Sequence, residues 1–172
     1  MNVPADGEHV REVYARFGLA IYRAQVLEHG LVNALTLLDL IPSRRHLARS
    51  REDWGAEVDG FMDRNFEDTM GKLMRSLRSV TRVPTNVDGL LKEALQKRNW
   101  LAHSFFRERA TEFMSYKGRE QMLREVDESG ELFGRADQVL EAIVKPMRLK
   151  AGITDEMLEF ETNRALSEAR GG

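Results

Sequence analysis

Cysteine is absent from the 172-residue chain, which excludes disulfide staples, thiolate nucleophiles and cysteine-ligated zinc together, and is compatible with a reducing compartment. Prolines are few, at positions 4, 42, 84 and 146, and each falls at or near a break in helical periodicity. No apolar run reaches the roughly 20 residues of a membrane span. The first residues are polar and acidic where a secretory leader needs an apolar run. A cytoplasmic protein with no membrane association is therefore expected. An excess of one charge is also missing: 26 Lys and Arg against 28 Asp and Glu leave a net charge of -2. Such a chain does not coat nucleic acid electrostatically, so any contact with it has to be local. The glycine-rich nucleotide loops G-x-G-x-x-G and G-x-x-x-x-G-K are absent, as are G-x-S-x-G and H-E-x-x-H. His9 and Glu12 alone would hold a metal incompletely. No metal and no cofactor are expected.

What is present is helical periodicity. Hydrophobic residues make up 42% and charged residues 31%, the balance of an ordinary globular chain of one domain. We expect an all-α fold, a bundle of four long helices near residues 8 to 40, 57 to 82, 86 to 107 and 118 to 145, plus a tail helix from about 154. Residues 1–172 are read as one domain, with residues 1–7 and 168–172 as flexible ends. In the first helix Val13, Phe17, Ala20, Ala24, Leu27, Leu31 and Leu35 recur at spacings of three and four, and Pro42 ends the run. Asn86 caps the third helix, Pro146 or Gly152 closes the fourth, and Thr154, followed by Asp155 and Glu156, starts the tail helix by N-cap and dipole chemistry. The connector at 43 to 54 carries Arg44, Arg45, His46, Arg49 and Arg51. This cluster is a candidate phosphate-backbone contact or, equally in keeping with charge runs, a solvated face.

The chemistry concentrates in Arg98-Asn99-Trp100-Leu101-Ala102-His103. At 100° per residue, Val87, Leu91, Ala94, Leu95, Leu101, Ala102 and Phe105 fall within about 60° of Arg98, which puts a guanidinium at the centre of an apolar stripe. A buried guanidinium keeps its charge and needs a partner. Glu28, inside the stripe of the first helix between Ala24 and Leu31, is the natural one. Asn99 and His103 are four apart and neighbours on the helix, whereas His103 is about 140° round from Arg98. Either the helix breaks between them or a second chain completes the site. Trp100, about 160° from Arg98, is a candidate interface anchor or is covered by the chain's own tail or by the 107 to 117 connector. An arginine, an amide and an imidazole without metal or thiol suit acid/base work on a phosphodiester.

Arg98-Asn99-x-x-x-His103 in a helical chain of this size resembles the signature of the HEPN superfamily. The resemblance covers the hexapeptide and the helical architecture; Arg23 and His29 satisfy the bare spacing too, but with Ala24 where the motif has a polar residue. It implies a homodimer whose two motifs share a cleft. The implied activity is metal-independent RNA cleavage, in members that serve as toxins or defence effectors and answer to a protein antitoxin or regulatory partner. Arg98 would stabilise phosphate, Asn99 would orient it, His103 would be the acid/base, and Arg107 would join Arg44, Arg45 and Arg49 in guiding the RNA backbone. Two other classes stay open: a non-catalytic dimeric helical interaction module, in which Arg98 and Glu28 are architecture, and a ligand-binding helical bundle.

Overall fold

The computed structural model describes residues 6–171, which form helices joined by short turns, with no strand among them. The protein is all-α. The first helix, α1 (Asp6–Leu35), continues through a π-turn (Thr36–Leu40) into the short α2 (Ile41–Arg44) and a 3₁₀ turn (Arg45–Leu47). Next come α3 (Arg51–Phe66), α4 (Met70–Val80), α5 (Thr85–His103), the single turns α6 (Phe105–Glu108) and α7 (Ala110–Phe113), then α8 (Tyr116–Lys150) and α9 (Asp155–Arg170). Of the two ends expected to be flexible, Asp6 and Gly7 lie in α1 and residues 168–170 in α9, while residues 1–5 and 172 lie outside the described residues.

The central element is α1, which packs on α8, α4, α5 and α3. Register contacts give the directions. His9 meets Glu120 and Arg16 meets Asp127, so α1 and α8 run parallel. Phe105, two residues past the end of α5, stacks on Phe17, while Arg98 meets Glu28, so α5 runs against α1. Gly71 approaches Leu95 and Arg78 pairs with Asp88, which makes α4 and α5 an antiparallel hairpin. The core between these helices is Leu27, Leu31, Leu35, Met74, Leu91, Met122, Phe133 and Leu140, all buried.

Several expected boundaries move, each for a local reason. The run from 57 to 82 is two helices, because residues 67–69 turn the chain and the Thr69 side chain caps α4 by accepting from the Lys72 amide. Pro42 does not stop the first helix. The π-turn before it, closed by the Ile41 amide on the Thr36 carbonyl, admits the proline within the first turn of α2, where a missing amide is tolerated. Pro146 likewise lies inside α8; it and Ala142, whose carbonyl loses its donor, are exposed to water. Gly152, at φ +82°, ends α8 instead. The Ile153 amide bonds the Arg148 carbonyl and the Gly152 amide that of Leu149, the paired bonds of a glycine C-cap. Pro84, not Asn86, precedes α5, with no side-chain cap, whereas Thr154 caps α9 as expected, accepting from the Met157 amide.

Candidate functional site

Helix α5 carries the hexapeptide, and it runs unbroken from Thr85 to His103. The break that would have turned Arg98 and His103 towards each other is therefore not between them; it comes one residue later, at Ser104 (φ -129°, ψ -26°). Its cause is aromatic packing. Phe105 is fully buried, stacked on Phe17 and edge-on to Trp100 and Phe106, and Phe106 in turn meets Tyr14 and Phe113. Two adjacent phenylalanines are 100° apart on a regular helix, and the turn at Ser104 lets both reach the core.

Arg98 is held from two sides. Its Nε donates to Glu28 Oε1 at 2.9 Å, and its Nη1 donates to Asn99 Oδ1 at 3.3 Å. The Arg98 side chain is 33% exposed and that of Glu28 is 22% exposed. The guanidinium thus emerges at the edge of the apolar stripe instead of being sealed at its centre, its stem covered and its head towards water. Asn99 and His103 are exposed on the adjoining face of α5. Beside Glu28 opens a polar cleft of about 330 Å³, lined by Gln25, His29, Asn65, Asp68 and Leu73 among others. The His29 ring rests against Phe66 at 4.7 Å. His29 is therefore the histidine that lines the cleft beside Glu28, the partner of Arg98. Its signal was position 29 following Glu28.

Trp100 is half-buried within its own chain. Its Nε1 donates to Glu108 at 2.8 Å, its ring lies edge-on to Phe105, and Lys97 and Arg109 approach its faces. Arg109 also makes two bonds to Glu125, at 2.7 and 3.0 Å, tying the turns after α5 to α8. Burial pushes the Glu125 carboxyl up, but the bonds from Arg109 and Gln121 outweigh it and leave it below the ordinary range. Arg107 is exposed next to the motif and donates to Ser104 Oγ at 3.1 Å.

Arg44, Arg45 and Arg49 are exposed but elsewhere. His103 lies alongside α1 between the levels of Phe17 and Glu28, so at 1.5 Å per residue the basic cluster is roughly 30 Å further along the bundle. Arg44 and Arg49 face Asp53 and Glu57 across a small polar pocket, and Arg45 donates to the Ala151 carbonyl at 3.4 Å. One chain does not bring this cluster to His103.

His9 is buried and engaged, with Nε2 2.7 Å from Glu120 Oε1, Nδ1 accepting from Arg119, and Tyr116 stacked on the ring. Both ring nitrogens are occupied, which makes it a tie between α1 and α8. Among the described residues no group of three or more His, Asp or Glu side chains is placed to hold a metal ion, and no helix is long and apolar enough to cross a membrane. The chain matches no protein-family model, no curated protein and no solved structure.

Proposed function

We propose that the protein is a homodimeric, metal-independent endoribonuclease of the cytoplasm, similar in its motif to the HEPN superfamily, with each site built from two chains. The observation that carries this reading is the unbroken α5: it exposes Asn99 and His103 on one face and holds the Arg98 guanidinium about 140° away, braced by Glu28 and Asn99. A twofold axis near α5 would set Arg98 of one protomer beside the partner's His103, and the reciprocal contact would follow by symmetry. In such a site an imidazole takes the proton of the ribose 2′-hydroxyl as its oxygen attacks phosphorus. The bond to the 5′-oxygen breaks, the leaving oxygen receives a proton, and a 2′,3′-cyclic phosphate with a 5′-hydroxyl remains. Arg98 stabilises the crowded anion and Asn99 orients it. Arg107 is near enough to follow the RNA backbone, while Arg44, Arg45 and Arg49 would touch only a longer strand. A nuclease of this kind, used as a toxin or defence effector, requires a protein antitoxin or regulatory partner to restrain it.

The second reading, a non-catalytic dimeric interaction module, is favoured by one observation: the Glu28–Arg98 pair ties α1 to α5 and so has an architectural use. Cleavage separates the two. With RNA in excess chelator, the wild type is expected to give 2′,3′-cyclic ends, and His103→Ala to lose about 10² to 10⁴ in rate at unchanged helicity. His29→Ala is the control for the intramolecular cleft. Mixing His103→Ala with Arg98→Gln should restore activity to about a quarter of wild type, since half the dimers are mixed and each has one intact site. Equal cleavage by wild type and His103→Ala overturns the assignment, and no cleavage by a folded dimer leaves the interaction module.

A further inference from the structure

A cavity of about 620 Å³ lies at the opposite end of the bundle from Phe105, between the C-terminal part of α1, the π-turn, α3 and α8, with Ile153 and Leu158 at the root of α9 closing one side. That size is within the range of small-ligand pockets. Its walls are mostly apolar, from Val26, Leu37, Trp54, Val58 and Val144 among others. Four titratable side chains face it: His29 from α1, and Asp137, Glu141 and Arg148 from α8. Arg148 is neutralised by Glu141, at 3.2 Å, and by Asp155. Asp137 is different. It makes no ion pair and accepts no hydrogen bond among the described residues, and it is wedged against α1, where a Cβ on Gly30 would come within 2.6 Å of its Oδ1. Burial first, and Glu141 second, push its carboxyl up from the ordinary value.

Asp137 is half-buried, so water reaches its carboxyl only in part, and a cation in the cavity would find there a partly desolvated carboxylate with no ion-pair partner among the described residues. The π-turn adds a second oddity at the same place, since such turns interrupt regular helix bonding and recur where a helix is shaped around a site. Thr36 and Leu37 of that turn line the cavity. We infer that this cavity binds a small amphiphilic amine, its apolar part among Leu37, Trp54 and Val144 and its ammonium group on Asp137. The polar Asn33 and Thr36 at the wall offer further acceptors for the remaining N–H donors. This site includes neither Arg98 nor His103, although His29 lines both this cavity and the cleft beside Glu28.

Octylammonium, octanol and octanoate, which share one apolar tail, isolate the headgroup in calorimetric titrations of the full chain. Octylammonium is expected to bind with one-to-one stoichiometry, at least about tenfold tighter than octanol, with octanoate weakest. Asp137→Asn removes charge without changing volume, and should bring the amine to the level of the alcohol while leaving octanol unchanged. Val58→Phe, which fills the cavity from α3, should weaken the amine and the alcohol alike. Melting curves establish that both variants are folded. Octanol or octanoate binding as well as the amine, an Asp137→Asn variant that keeps full amine affinity, or no binding of any probe would overturn the inference. A dimer that Val58→Phe dissociates would show that a second copy fills the cavity, and would overturn it too.

Discussion

Arg98 and Asp137 are both charged groups at the margin of apolar surface, and their neighbours separate them. Arg98 has a carboxylate at 2.9 Å, so its charge is matched inside the fold. Asp137 has desolvation and a like charge instead, so the fold favours its neutral form. The sign of the consequence is fixed by linkage: a carboxyl with a raised folded value stabilises the protein below its unfolded value and loses that contribution as pH rises through the folded one. Asp137→Asn, a mimic of the neutral form, should therefore match wild type in acid and exceed it in stability at neutral pH, in urea titrations without added amine. Equal stability of the two proteins across that range would mean that Asp137 is not desolvated. The partner of Arg98 was legible from the helical wheel, because Glu28 is the charge inside the stripe of α1. The depth of the pair was legible only as buried or half-buried, and it is half-buried. The wheel gives direction but not depth, and depth depends on how far α5 is rotated against α1.

At the scale of elements, helix ends were set by caps and by close approach as much as by periodicity. Thr69 and Thr154 accept from the amides three residues on and start α4 and α9. The first was readable in the sequence, but the run of Met62, Phe66, Met70 and Leu73 masked it with an unbroken spacing of three and four. Pro42 misled in the other direction, since it is accommodated within a helix, and of Pro146 and Gly152 it is the glycine that closes α8. The start of α8 depends on a glycine. Ser115 caps it, and a Cβ on Gly118 would lie 2.1 Å from the Glu112 carbonyl oxygen and 2.5 Å from its Cα, which are backbone atoms that cannot swing aside. Gly118→Ala is expected to force α7 away from α8 and to destabilise by about 1–3 kcal/mol, the range for overpacking. Chemical denaturation measures this, and a loss below about 0.5 kcal/mol would mean that α7 shifts freely.

For the molecule as a whole, the parallel pair α1 and α8 is the frame, with α4 and α5 laid on it as a hairpin. Helix α9 stands outside that frame: it has no buried residue, and Met157, Leu158, Phe160 and Leu166 are exposed. Its attachment is concentrated at its first turn, where Asp155 meets Lys145 and Arg148. Truncation after Ile153 should leave a cooperative bundle, with a melting temperature lowered by no more than about 4 °C, because α9 contributes no buried residue and the buried Arg148 keeps Glu141 as its partner. A larger drop would show that α9 is packed in solution. The dimer required by the proposed nuclease involves α5, so light scattering on the truncated chain should give the mass of two copies.

Residue pattern alone determined the all-α class, because spacings of three and four recur along most of the chain and each such stripe has to be buried against another helix. It also determined the Glu28–Arg98 tie, since a charge inside an apolar stripe demands an opposite one. Tertiary structure alone decided where the long runs break. The turn at Ser104 exists because Phe105 and Phe106 must both reach the cluster around Phe17, and that cluster is assembled from α1, α5, α6 and α7. It likewise decided that His29, Asn65 and Asp68 share a cleft with Glu28, and that Asp137 has no cation beside it among the described residues. Those relations join residues distant in sequence and depend on helix rotation and register, quantities that local periodicity does not contain.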